Sequence, residues 1–155
     1  MGKLFTTSED VAAKVNVKFK ETRLDEMGVG LRLMSTTKAG DVIKVGKVSQ
    51  TTQFLTKQEN DAIQVCIFEE AFDRLDDEAQ GILIELALSN VSYDFEKDKL
   101  NVISNPYESI FQLRDKYGVE KVVNVLQSSY IAIDQIAEQE AERKAAEKER
   151  RKQTA

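Results

Sequence analysis

Carboxylates are the side chains in this sequence with the clearest capacity for chemistry, and Glu85 has the most unusual surroundings of them. It lies in the segment 75–91, where every neighbour from Ile82 to Leu88 is apolar. The commoner arrangement for such a glutamate is to point outward at the edge of a buried face. The alternative is a buried carboxylate that has a partner or a raised pKa, and the sequence leaves both open.

Other carboxylates are numerous enough to supply the oxygen ligands that magnesium prefers. They are Glu69, Glu70, Asp73, Asp76, Asp77, Glu85 and Asp94. No spacing among them is diagnostic of a metal site, and the acidic cluster 76–78 is explained by the preference of helix N-termini for negative charge. A magnesium-dependent carboxylate enzyme is therefore only an alternative function.

Histidine is absent from the 155 residues, and cysteine occurs once, as Cys66. A Ser-His-Asp or Cys-His catalytic site is therefore impossible within this chain. One cysteine without histidine also excludes the usual zinc sites and an internal disulfide. We expect no catalytic residues, no metal and no cofactor.

The elements that would position Glu85 follow from hydrophobic periodicity. The segment from Leu75 to Val91 predicts a helix that is apolar on most sides and therefore buried. The other predicted elements are a frayed terminus at 1–7, a helix at 9–24 capped by Ser8, strands at 29–35 and 42–48 joined as a hairpin, a buried strand at 61–69, a polar loop at 92–99, a short strand at 100–104 and a helix at 105–117.

The C-terminal part begins as an amphipathic helix at 119–137 and then loses its apolar residues. From 138 to 155 only alanine, charged and polar residues remain, with high helix propensity and nothing to dock. We therefore expect one globular α+β domain at 1–137 and a charged, protruding helical tail at 138–155. The basic residues of the tail are Arg143, Lys144, Lys148, Arg150, Arg151 and Lys152. A solvated helix end is the commoner meaning of such a run.

The overall charge and hydropathy restrict the possible partners. The formal net charge of −5 argues against general nucleic-acid binding, which usually needs a basic surface. No segment is apolar enough to span a bilayer, and no signal-peptide pattern is present. A cytoplasmic protein without membrane contact is the resulting expectation.

The order of the segments around the central helix gives a further indication of the fold. The pieces concerned are the strand 63–68, the Phe72-to-Leu75 segment, the helix 83–89, Phe111, and the Lys116-Tyr117-Gly118 sequence. This order resembles that of the SprT-like zincin metallopeptidases and the putative metallopeptidases of bacteriophages. The resemblance implies an α+β fold in which a small, mostly antiparallel sheet packs against a central buried helix, with a long C-terminal helix added.

The resemblance also implies that the metal chemistry has been lost. In the family, the central helix carries an HExxH motif, whose histidines bind zinc and whose glutamate activates water. Here Glu85 and Ser89 occupy the two histidine positions, and Leu86 occupies that of the general base. Asn105 or Pro106 falls near the third ligand. The expected protein is a degenerate, non-catalytic member of phage origin, located in the host cytoplasm or associated with the virion.

Such a protein would act through binding, with a phage or host protein as the expected partner. One candidate surface is formed by Tyr93, Phe95 and Tyr107, aromatic residues outside the apolar pattern. The other is the basic tail, which could also pair with a second copy. Nucleic-acid binding through the tail is the alternative. The sequence does not indicate the oligomeric state.

Overall fold

The computed structural model describes residues 2–48, 62–94, 96, 99–102, 113 and 116–154. These residues form an α+β fold, as predicted, with a four-stranded sheet, a two-stranded sheet and a long C-terminal helix. In chain order the elements are β1 (Leu4–Phe5), α1 (Glu9–Glu21), a 3-10 turn (Asp25–Met27), β2 (Gly30–Thr36), β3 (Ile43–Lys47), β4 (Ala62–Phe68), α2 (Glu69–Phe72), α3 (Asp77–Leu88), β5 (Val91–Asp94), β6 (Lys99–Val102) and α4 (Val119–Thr154).

The larger sheet is mixed and has the order β1-β2-β4-β3. Strand β4 pairs in parallel with β2, from Gly30 opposite Ala62 to Thr36 opposite Phe68, and antiparallel with β3 on its other edge. The predicted hairpin of β2 with β3 is therefore wrong, because β4 lies between them. The physical reason is burial: five of the seven β4 residues are buried, whereas β2 and β3 are mostly half-covered.

The N-terminal residues are more ordered than predicted. Leu4 and Phe5 form β1, which pairs antiparallel with the end of β2 opposite Thr36 and Ser35. The backbone amide of Lys3 adds a hydrogen bond to the Thr37 hydroxyl at 2.9 Å. Both β1 side chains are exposed, so this strand is held by its backbone pairing rather than by burial.

Helix α3 is the buried centre of the molecule, as its sequence predicts. The Asp76 carboxylate caps it by accepting a hydrogen bond from the Ala79 amide at 2.7 Å. The Gln80 side chain, which is buried, donates to the carbonyl oxygens of Phe72 and Leu75 and so fastens the preceding turn. The helix ends at Leu88, three residues earlier than the apolar pattern predicts.

Helices α1 and α4 pack on α3 through one apolar stripe each. The buried residues of these stripes are Val11, Val15 and Phe19 in α1, and Val122, Val125, Ser129, Ala132 and Ile136 in α4. Helix α1 stops at Glu21, short of the predicted residue 24, and Arg23 beyond it has a left-handed φ of 61°. The predicted cap Ser8 stands at the N-cap position, yet its side chain makes no capping hydrogen bond.

The segment after α3 differs from the predicted polar loop at 92–99, because β5 and β6 pair there as an antiparallel two-stranded sheet. The predicted strand at 100–104 is present as β6, up to Val102. Most of the predicted helix 105–117 lies outside the described residues, although Leu113, Lys116 and Tyr117 are helical. Gly118 follows with φ +83°, the left-handed conformation expected of a glycine at a helix end.

The cap of α3 gives a direct test of the central helix. Replacing Asp76 with alanine removes the acceptor for the Ala79 amide, so the free energy of unfolding should fall by about 1 kcal/mol. The neighbouring Asp77→Ala is the matched control, because the Asp77 side chain is 95% exposed and only pairs with Lys14. That change should cost less than about 0.5 kcal/mol. Urea denaturation measures both, and equal losses would contradict the capping role.

Candidate functional site

Glu85 lies on a wall of α3 that faces α1 and the residues just before α4. Its Oε1 accepts hydrogen bonds from two ammonium groups, Lys18 Nζ on α1 and Lys116 Nζ, each at 2.7 Å. The Glu85 side chain is only 11% exposed. Glu85 is therefore half-buried at the edge of the apolar face and is paired, which combines features of both arrangements that the sequence left open. Neither lysine was expected as its partner.

The two lysines determine the charge state of this site. Burial by itself would raise the pKa of Glu85, but hydrogen bonds from Lys116 and Lys18, with a further one from Tyr117, hold that pKa below its usual value. The hydrogen bond to Glu85 likewise raises the pKa of Lys116 above its ordinary range. Burial lowers the pKa of Lys18, but the same carboxylate outweighs it and raises that pKa. All three groups are therefore charged at neutral pH.

An open groove of about 430 Å³ runs beside this ion-pair cluster, and both Glu85 and Ser89 line it. The Ser89 hydroxyl already donates to the Leu86 carbonyl oxygen at 2.7 Å. Leu86 itself is buried and lines a separate pocket of about 200 Å³ between α3, β3 and α4. Of the three positions predicted as remnants of a metal helix, two share a groove and the third faces the core on another side.

The described residues do not assemble a carboxylate metal site. Among them, no group of three histidine, cysteine, aspartate or glutamate side chains lies close enough to hold a metal ion. Asp76 is used as a helix cap and Asp77 pairs with Lys14. Two ammonium groups already lie on Glu85 Oε1, and their positive charge opposes the approach of a cation.

A buried carboxylate, Glu69, lies where the parallel strands β2 and β4 end. The hydroxyl of Ser8, which is exposed, donates to Glu69 Oε1 at 2.5 Å, while the buried Oε2 has no hydrogen-bond partner among the described residues. Ser35 and Thr7 form another hydroxyl pair near the same strand ends, at 3.0 Å. One carboxylate and three hydroxyls give too little negative charge for a strong divalent site.

The C-terminal part of α4, from residue 138 onward, is helical and almost entirely exposed. We name residues 138–154 the arm. Every arm residue except Glu140 is exposed, and the last buried residue of the helix is Ile136. At 1.5 Å per residue the arm is about 25 Å long. Its attachment is strengthened by Arg74, whose guanidinium donates to the Gln139 side chain at 2.7 Å.

The arm divides its charges between two sides. Arg143 and Lys144 lie on the side that faces the body, where they line an open groove of about 730 Å³ together with Lys3 and Lys38. At 100° per residue Arg150 and Arg151 continue this side toward the tip, and we name these four arm residues and two body lysines the basic groove face. The acids Glu70 and Glu140 also line the groove, and Glu140 pairs with Lys144 at 3.2 Å.

The other two predicted basic residues, Lys148 and Lys152, lie on the side of the arm that faces away from the body by the same helical spacing. Of the predicted aromatic surface, Phe95 and Tyr107 lie outside the described residues. The backbone of Tyr93 belongs to β5, opposite Leu100 of β6, and its side chain is outside what the structure describes. The aromatic surface therefore stays a prediction.

Comparisons with known proteins found no match for this chain. No protein-family model, no curated protein and no solved structure matches it. The resemblance to degenerate zincins therefore stays a prediction from the order of segments. Within the described part of the chain, no helix combines the length and the apolarity that crossing a bilayer requires.

The ion pairs of Glu85 predict a specific pH dependence. Replacing Glu85 with glutamine should lower the free energy of unfolding at pH 7 by about 2 kcal/mol, since two charged hydrogen bonds are lost and two lysines lose their counter-charge. Because the pKa of Glu85 is lowered in the folded state, its stabilisation is complete above the unfolded pKa near 4.5 and disappears as the pH falls through the folded pKa.

The difference between the wild type and Glu85→Gln should therefore shrink steadily below about pH 4.5 in urea titrations. Glu21→Gln is the control, because Glu21 is 56% exposed and lies 3.8 Å from the same Lys18. It should change stability by less than about 0.5 kcal/mol at any pH. A Glu85→Gln difference that stays constant down to about pH 3 would contradict the paired carboxylate.

Proposed function

We propose that this protein is a non-catalytic interaction protein whose binding element is the arm with the basic groove face. The observation that supports this most strongly is the arm itself, a helical segment in which no side chain is buried against its own fold. Maintaining an ordered charged helix about 25 Å beyond the core is readily explained if another molecule uses it.

The non-catalytic part of the proposal rests on the chemistry at Glu85. A general base needs a carboxylate that is free to accept a proton at neutral pH, and two ammonium groups hold this one in its ionised, hydrogen-bonded form. The neighbouring Ser89 hydroxyl is occupied by a backbone carbonyl. This state agrees with a metal helix that has lost its function, the origin that the resemblance to phage-encoded zincins implies.

The proposed partner is an acidic protein surface rather than a nucleic acid. The groove presents Lys3, Lys38, Arg143 and Lys144, but Glu70 and Glu140 are interspersed among them. Such mixed charges suit a protein surface with a complementary pattern, whereas the two acids would repel part of a continuous phosphate backbone.

Binding to a defined acidic probe tests this proposal. A fluorescein-labelled peptide of about 15 residues rich in glutamate should bind to the wild type, with an affinity that falls as salt increases. The double variant Arg143→Glu/Lys144→Glu should weaken this binding at least about fivefold, because it reverses the charge of one groove wall. Fluorescence anisotropy at low protein concentration provides the measurement.

The matched control is Lys148→Glu/Lys152→Glu, which changes the net charge equally on the side of the arm that faces away from the body. It should leave peptide binding within about twofold of the wild type, since charges beyond a Debye length are screened. Equal weakening by both double variants would refute a role of the groove. Tighter binding of a mixed-sequence DNA duplex than of the peptide would replace the protein partner with a nucleic acid.

A further inference from the structure

On the side of the arm that faces away from the body, charged residues and alanines recur at regular helical spacing. Six exposed residues of α4 follow one another at spacings of four, three, four, three and four, the a and d positions of a heptad repeat. They are Asp134, Glu138, Ala141, Ala145, Lys148 and Lys152. We name them the outer seam. Two acids come first, two alanines lie in the middle and two lysines come last.

This order is complementary to itself when one copy is reversed. If a second arm lies antiparallel with its outer seam against the first, Ala141 of one copy meets Ala145 of the other. The same alignment places Glu138 opposite Lys148 and Asp134 opposite Lys152, and the two-fold symmetry makes each of these pairs occur twice. In a parallel, in-register alignment every acid would instead face an acid and every lysine a lysine, which is repulsive.

The position of the outer seam leaves room for a second copy. At 100° per residue its centre lies about 160° around the helix from the residues that α4 buries against the body. A second arm placed on the outer seam would therefore touch neither the core nor the basic groove face. The two alanines at the centre have small side chains, which permit close approach of the two helix backbones.

From this charge complementarity we propose that the protein forms an antiparallel dimer through the outer seam, with a second copy of the same chain as the occupant. The proposal deepens the function proposed above, which assigns binding to the arm, by giving the arm two separate uses. One side holds two copies together, and the basic groove face of each copy remains available for the acidic partner. The two bodies would lie at opposite ends of the paired arms.

The dimer should be weak and sensitive to salt. Ion pairs between flexible side chains contribute little individually and are screened by ions, and alanine buries little apolar area. We expect a dissociation constant on the order of 100 µM at low salt, and a monomer at about 1 M salt. Sedimentation equilibrium of the full chain, from about 10 µM to about 1 mM, covers the range in which such a dimer forms.

Reversing the charge of single seam residues distinguishes the antiparallel dimer from other ways in which two copies could associate. Glu138→Lys should raise the dissociation constant at least about tenfold, because the introduced ammonium group of each copy then faces Lys148 of the other. Adding Lys148→Glu in the same chain should restore it to within about threefold of the wild type, because opposite charges then face each other again. Glu147→Lys is the matched control, since it changes the net charge equally on the other side of the arm.

The outcomes are separable from those of the acidic-peptide experiment. A wild-type chain that stays monomeric at about 1 mM and low salt would overturn the dimer and leave the groove proposal intact. The dimer would also be overturned if Glu138→Lys/Lys148→Glu failed to restore association, or if Glu147→Lys weakened it as much as Glu138→Lys does. Far-UV circular dichroism of each variant establishes that the arm remains helical.

Discussion

The rest of this fold depends on strand β4, because β4 is hydrogen-bonded to another strand along each of its two edges. Strand β4 is hydrogen-bonded to β2 on one edge and to β3 on the other, and Ile63, Val65 and Ile67 along it are completely buried. Because β2 and β4 run in parallel, the chain has to cross from the end of one strand to the start of the other. The core formed by α1, α3 and α4 then covers the central strands, and Glu85 occupies the edge of that core.

Glu85 illustrates how a charge can remain beside an apolar core when other parts of the chain supply its partners. Its neighbours along the helix would bury it, and its desolvation is offset by Lys18 from a helix 67 residues earlier and by Lys116 from a segment 31 residues later. The carboxylate thus connects three separate parts of the chain. Such an ion-pair cluster fixes how the elements sit relative to one another more specifically than apolar contact alone.

Several features with a local signal could be predicted from the sequence, although the Ser8 cap and the polar loop at 92–99 could not. The acidic start of α3, the burial of α3 and the helical conformation of the C-terminal residues follow from neighbouring residues, and the structure has each of them. The pairing of the strands could not be predicted correctly in this way. A Gly-containing turn between 38 and 41 favoured a hairpin, although the predominantly apolar sequence of β4, interrupted only by Gln64, was itself a signal for a central strand.

The parts that could not be predicted depend on distant partners. Nothing near Glu85 in the sequence identifies Lys18 or Lys116 as its partners, since the contacts arise only after the helices pack. Strand β1 has two exposed side chains and is held by backbone pairing alone, so its sequence contains no pattern to recognise. The basic groove likewise needs Lys3 and Lys38 from the N-terminal half beside Arg143 and Lys144.

The projecting arm also means that this molecule has two kinds of helical stability in one continuous helix. Up to Ile136, α4 is held by tertiary packing and should melt together with the core in a cooperative transition. Beyond that point its helicity depends on alanine propensity and on exposed pairs such as Glu140 with Lys144 and Glu147 with Arg151. Heating should therefore unwind the arm gradually from its tip while the core is still folded, so the helical signal begins to fall before the tertiary signal does.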